Sequence, residues 1–209
     1  TCRLYTCTVS AQQLWILLQV LTGHTGLVRG AAFAPDGQTL ATVSFDSTCR
    51  LWICTGSAAQ PWPSLQVLTG HSWQVYGVAF ASDGLMLATA SSDESCCLWR
   101  RSGSEQQPWE MLQRLTGHSS GVRDVAFTSD DQTLATVSHD KTCMLWSRSG
   151  SGEEPWALKQ TLTGHSGQVN SAAFVNDAQT SATVSDDRTC RTIATRLAPY
   201  TILPRSPLP

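Results

Sequence analysis

Residues 70–116 read GHSWQVYGVAFASDGLMLATASSDESCCLWRRSGSEQQPWEMLQRLT, and residues 117–163 read GHSSGVRDVAFTSDDQTLATVSHDKTCMLWSRSGSGEEPWALKQTLT. Aligned without a gap, the two agree at 26 of 47 positions. The same period runs outward in both directions. Gly-His pairs stand at Gly23-His24, Gly70-His71, Gly117-His118 and Gly164-His165. Leu-Trp pairs stand at Leu51-Trp52, Leu98-Trp99 and Leu145-Trp146, and Pro-Trp pairs at Pro61-Trp62, Pro108-Trp109 and Pro155-Trp156. A fixed period of roughly 20–50 residues marks a solenoid, a propeller or an array, and it governs how every shorter motif is read.

Inside one period the local signals are those of β-structure. Val28 to Phe33 is a small apolar run that ends at Ala34-Pro35-Asp36-Gly37, a hairpin-turn sequence. Thr39 to Ser44 reads as a second strand and Thr48 to Ile53 as a third, joined by the short Phe45-Asp46-Ser47 connection. A loop with Gly, Ser and Pro follows, and Leu65 to Leu68 reads as a fourth strand. Four short strands per period suit one propeller blade. No stretch has helical periodicity with caps.

A Gly-His pair, a strand ending at an Asp-Gly turn, a Ser-x-Asp turn and a Leu-Trp strand end, repeated in register over residues 1–193, resemble the WD40 repeat family. The Asp that follows Trp in the family's name is absent, with Ile53, Arg100 and Ser147 in its place, and Ile193 stands at the Trp phase of the last unit. The resemblance implies an all-β, WD40-type β-propeller. About four to five blades are expected in this chain, the first and last incomplete. Residues 1–22 would supply the last two strands of a partial blade and a link. Residues 23–69, 70–116 and 117–163 would be full repeats, 164–193 a truncated one, and 194–209 an irregular proline-rich tail.

The 209 residues carry 14 Lys plus Arg against 16 Asp plus Glu, a net charge of −2. That balance argues against a general nucleic-acid binder, which shows a basic excess. With 41% hydrophobic and 14% charged residues the chain is no acidic disordered tail. The longest apolar run, Leu14 to Leu21, is broken by Gln19 and falls short of the roughly 18 residues of a membrane span. No signal peptide is visible, so a cytoplasmic or nuclear location is expected. Phosphate-binding glycine loops, His-Glu-x-x-His and Gly-x-Ser-x-Gly are all missing, and no cofactor is expected.

His24, Ser44, Asp46 and Trp52 recur as His71, Ser91, Asp93 and Trp99 and as His118, Ser138, Asp140 and Trp146; the last unit has His165, Ser185 and Asp187. Ser, His and Asp together suggest a hydrolase. A catalytic triad, however, is needed once, beside a pocket and oxyanion donors, whereas this set recurs in every unit. The resemblance implies instead a buried network of indole, hydroxyl, imidazole and carboxylate that links strands to turns. Cys2, Cys49, Cys96, Cys143 and Cys190 share one phase, and no Cys-x-x-Cys pair is present. Equal phases on neighbouring blades lie too far apart for a disulfide, which needs Cα atoms within about 7 Å. Buried small hydrophobes are the expectation, with no metal site. The periodic Pro-Trp pairs are expected to pack at the outer edge of each blade.

Function is sought where the units differ. The residue after the Val that follows Gly-His reads Arg29, Tyr76, Arg123, Asn170. The residue before the turn Asp reads Phe45, Ser92, His139, Asp186. Trp73 stands where other units have Gly26, Ser120 and Gly167. The resemblance implies that the first two sets project onto one end of the propeller, a face that commonly receives partner peptides. Arg, Tyr, Phe and Trp are the residue types enriched at binding hot spots. The reading is a non-catalytic scaffold for partner proteins or peptide segments, with self-association as a further route to a complete ring. The alternative is the regulatory part of a larger signalling enzyme, an NTPase or kinase, whose catalytic domain lies outside this chain.

Overall fold

The computed structural model describes residues 1–7, 14–57, 60–101, 107–148, 154–175 and 180–194. Seventeen strands and no helix occur among them. The first sheet pairs β1 (Cys2–Cys7) with β2 (Trp15–Leu21). Three four-stranded antiparallel sheets follow. They are β3 (Val28–Phe33), β4 (Thr39–Ser44), β5 (Thr48–Ile53) and β6 (Ser64–Thr69); β7 (Val75–Phe80), β8 (Met86–Ser91), β9 (Ser95–Arg101) and β10 (Trp109–Thr116); and β11 (Val122–Phe127), β12 (Thr133–Ser138), β13 (Cys143–Ser147) and β14 (Ala157–Leu162). The last sheet joins β15 (Val169–Phe174), β16 (Thr180–Ser185) and β17 (Cys190–Ala194). Each sheet is an up-and-down meander, and no strand pairing closes the last sheet onto the first among the described residues. The proline-rich tail expected from the sequence lies outside the described residues, except Ala194, which ends β17.

The burial of successive strands explains their composition. All six residues of β4 and of β8 are buried, because these second strands are covered on both faces by neighbouring sheets. Only small and β-branched side chains with a few Leu and Met fill such a position, and TLATVS and MLATAS supply them. The fourth strands, at the outer edge, are largely exposed. The first strands β3, β7, β11 and β15 lie side by side in turn. Their approach is close: a Cβ on Gly77 would sit 2.9 Å from the Cα of Asp124. At the next junction the Ser171 hydroxyl donates to Asp124 across 2.6 Å.

The core is divided between the sheets. One cluster joins Ala41, Val43 and Leu51 to Val75, Leu87 and Trp99. Another joins Met86, Ala88 and Leu98 to Val125, Leu134 and Trp146. Each sheet therefore buries its apolar face only against its immediate neighbours, as in other repeat arrays. The cysteines follow that logic. Cys49, Cys96 and Cys143 are buried between sheets, while Cys190 on the last sheet is exposed. Burial pushes the Cys143 thiol up to about 12.

A side-chain clamp that the sequence reading did not single out ties consecutive sheets at their outer edge. A β-bulge at Leu18, Leu65 and Leu112 precedes Gln19, Gln66 and Gln113. Each glutamine amide meets the backbone of the Pro-Trp tryptophan of the next sheet. Trp109 N–H donates to Gln66 Oε1 at 2.8 Å, and Gln66 Nε2 donates to Trp109 O at 2.9 Å. Gln19 with Trp62 and Gln113 with Trp156 repeat the pair. Trp62, Trp109 and Trp156 are buried, each edge-on to a phenylalanine of its own sheet. Trp15, at the same phase on the first sheet, is 71% exposed. Gln66→Ala removes two hydrogen bonds and opens an edge contact between sheets. It is expected to lower stability by about 1–3 kcal/mol in urea denaturation. A variant as stable as the parent would show that the clamp does not hold the sheets together.

Candidate functional site

Two sets of polar residues meet at one end of the sheets, one constant and one variable. The constant set builds the turns. In the second complete sheet, Trp99 Nε1 donates to Thr89 Oγ1 at 2.9 Å, and Thr89 Oγ1 lies 2.8 Å from His71 Nε2. His71 Nδ1 lies 2.9 Å from Asp93 Oδ2, which also accepts from Ser72 N–H. Asp93 Oδ1 accepts from the amide and hydroxyl of Ser95. One tautomer, with the proton on Nδ1, satisfies every member in a single direction. Burial opposes ionisation of Asp93, but the hydrogen bonds from His71 and Ser95 outweigh it and hold the carboxyl well below the usual range.

The hydroxyl in this chain is not the one expected. Thr42, Thr89, Thr136 and Thr183 link to the imidazoles, and the first three accept the indole N–H of Trp52, Trp99 and Trp146. Ser44, Ser91, Ser138 and Ser185 stand two residues later, at the strand ends, where each Oγ accepts the amide of the turn aspartate. They cap the turn and do not touch the imidazole. Side chains two apart share one face of a strand, so residue type alone does not separate them; strand register does, since Trp52 and Trp99 pair with Leu40 and Leu87, which puts the threonine two residues from that partner and the serine four. In the last sheet His165, Thr183 and Asp187 keep their bonds, and the sequence offers Ile193 at the indole phase.

The variable set is displayed by the backbone. Between the first and second strands of the three four-stranded sheets and of the last sheet the register shifts after Val28, Val75, Val122 and Val169. Arg29, Tyr76, Arg123 and Asn170 are therefore bulge residues. A bulge re-aims its side chain out of the ladder. Phe45, Ser92, His139 and Asp186 precede the turn aspartates, and their amides bond to Leu27, Gln74, Gly121 and Gln168.

Five of these residues form one continuous surface across three sheets. The Arg29 guanidinium lies 5.5 Å from the Phe45 ring centre, and Phe45 meets Tyr76 edge-on at 5.3 Å. Arg123 lies 4.3 Å over Tyr76, and His139 is 6.4 Å from the same ring. Burial and the Arg123 charge hold His139 below its ordinary value, against an opposing pull from Asp186. Asp186 accepts from Asn170 Nδ2 at 2.5 Å. Trp73 and Ser92 are not part of this ladder. They line a separate cavity with Ser72, Asp93 and Glu94. Among the described residues no three His, Cys, Asp or Glu side chains are grouped to hold a metal ion.

The family model for the WD domain, G-beta repeat, matches residues 15–52, 62–100, 109–147 and 156–192, well over half of the chain. The chain belongs to the WD40 repeat family. Each matched WD40 unit takes the last strand of one sheet and the first three of the next, so the repeat straddles the sheet boundary. WD40 repeats indicate in general a protein-interaction scaffold, and WD40 domains are typically non-catalytic. No curated protein matches the chain. Thr89→Val keeps the shape of the side chain but strips the hydroxyl from a buried indole N–H and an imidazole. It is expected to cost about 1–3 kcal/mol, with Thr89→Ser close to the parent, in thermal or urea unfolding. Equal stability of Thr89→Val and the parent would contradict the network.

Proposed function

We propose that this WD40 chain is a non-catalytic scaffold that captures a partner polypeptide segment on the end face formed by Arg29, Phe45, Tyr76, Arg123 and His139. The observation that supports this most is the ladder itself. Two guanidinium groups and two aromatic rings from consecutive sheets are stacked together at bulge and turn positions. Fixed aromatic and arginine side chains make strong anchors, because little rotamer freedom remains to be lost on binding. Asn170 and Asp186 extend the polar rim beside His139.

Ser-His-Asp chemistry has no place in this reading. Every such set is occupied by its own turn, and the imidazole nitrogens are bonded to an aspartate and a threonine. Among the described residues no serine hydroxyl is hydrogen-bonded to these imidazoles. The constant residues are committed to structure, which leaves the variable ones for recognition.

The four-fold variant Arg29→Ala, Phe45→Ala, Tyr76→Ala and Arg123→Ala tests the proposal. None of the four belongs to the turn network, so the melting temperature is expected to stay within a few degrees of the parent. Partners that copurify with the parent chain are expected to be lost from the variant. Undiminished capture by a folded variant would place the binding surface elsewhere.

A further inference from the structure

The cavity beside Trp73 lies on the second complete sheet, outside the ladder. It has a volume of about 420 Å³ and is lined by Ser72, Trp73, Ser92, Asp93 and Glu94. We infer that this cavity receives a cationic side chain, arginine or lysine, of a partner polypeptide, held between the Trp73 indole face and the Glu94 carboxylate.

Three observations carry the inference. First, Trp73 is 65% exposed, although the other tryptophans of the three complete sheets are buried. Its wall of the cavity is an uncovered aromatic surface, the kind that attracts a cation through the ring quadrupole. Second, the two carboxylates differ. Asp93 is fully engaged: besides His71, Ser72 and Ser95 it takes Arg114 Nη1 at 3.2 Å. Arg114 is itself tied to the Ser95 hydroxyl and the Gly70 carbonyl. Glu94 is exposed and has no hydrogen bond or ion pair among the described residues. Arg114 balances Asp93, so Glu94 leaves the cavity with one uncompensated negative charge. Third, Glu94 is fixed by its backbone, with φ at 66° in the tight turn, so its side chain leaves the chain in a set direction.

The combination belongs to one sheet. At the Trp73 phase the other units have Gly26, Ser120 and Gly167, and at the Glu94 phase Ser47, Lys141 and Arg188. At Gly26 and Gly167 the loop is packed onto the turn: a Cβ there would sit 2.6 Å from the amide of Asp46 or Asp187. In the Ser120 and Gly167 units an incoming basic group also meets Lys141 or Arg188. The cavity thus complements the ladder, which presents guanidinium groups and suits an acidic or aromatic stretch. The source of the cation, a partner segment lying across this face, rests on the proposed function; cation binding in the cavity does not.

The experiment is a titration of the full chain, with its tryptophans labelled on the indole nitrogen, followed by NMR. The probes are acetyl-Gly-Arg-Gly-amide, its lysine and glutamate counterparts, and a citrulline version that keeps the shape of arginine without the charge. The Trp73 indole signal, assigned with Trp73→Leu, is expected to move in a saturable way with the arginine and lysine peptides. Binding of the citrulline and glutamate peptides is expected to be at least fivefold weaker. Glu94→Gln, at an exposed position with no partners to lose, is expected to weaken the arginine peptide at least threefold without changing the melting temperature. Added salt is expected to weaken it too. Equal shifts from arginine and citrulline, or shifts confined to other tryptophans, would overturn the inference. The four-fold ladder variant touches none of these groups, so it should bind the arginine peptide as the parent does even if partner capture fails.

Discussion

Everything displayed on the end face stands on one hydrogen-bond chain: indole to threonine hydroxyl to imidazole to aspartate. In the first complete sheet it runs Trp52, Thr42, His24, Asp46. Its members come from the third strand, the second strand, the loop before the first strand and the turn between the second and third. A single chain of contacts thus fixes four separate segments of backbone. The aspartate does the most. It is nearly buried, yet it remains ionised because imidazole, hydroxyl and amide donors surround it. Without them a carboxylate at that depth would be costly.

That constraint explains why recognition is confined to a few phases. The loop and the turn are locked by the network and by the backbone hydrogen bond between them, which recurs in all four units. Side chains beside the locked atoms can vary freely. Arg29, Tyr76 and Arg123 follow the bulge, Phe45 and His139 precede the aspartate, and Trp73 and Glu94 flank the cavity. A rigid frame with variable residues at its rim is well suited to binding, because the surface is arranged before the partner arrives. The Gln66 and Gln113 clamps extend the frame from sheet to sheet at the opposite, outer edge.

Much of this was legible in the repeat. Strands from Val28 to Phe33, Thr39 to Ser44 and Thr48 to Ile53 were readable from alternation and turn residues, because each is short and bounded by a strong turn signal. The fourth strand proved longer by one residue at each end, since an exposed edge strand has little apolar pattern to mark its limits. The choice between Thr89 and Ser91 was not legible. Both recur in every unit, and they are told apart only by the register of β8 on β9, which sets Leu87 opposite Trp99 and leaves Thr89, not Ser91, within reach of the indole N–H. The glutamine clamp had a signal, the spacing of Gln19, Gln66 and Gln113, but a polar residue on an exposed strand carries no expectation of a long-range bond. Bulges, which aim Arg29 and Tyr76, leave no mark in composition at all. Glu94 was hidden for a similar reason: its meaning depends on a cavity formed with Trp73 from a different segment.

The most direct test of the account is amide hydrogen exchange at the four turns. The amides of Thr48, Ser95, Thr142 and Thr189 each donate to the turn aspartate of their sheet. The three four-stranded sheets have the complete chain of indole, threonine, imidazole and carboxylate, and the last sheet has Ile193 at the indole phase. The account predicts strong protection at Thr48, Ser95 and Thr142 and exchange faster by at least about tenfold, the equivalent of roughly 1.4 kcal/mol, at Thr189. Equal protection at all four turns would contradict it, for the indole would then contribute nothing to holding the end face in place.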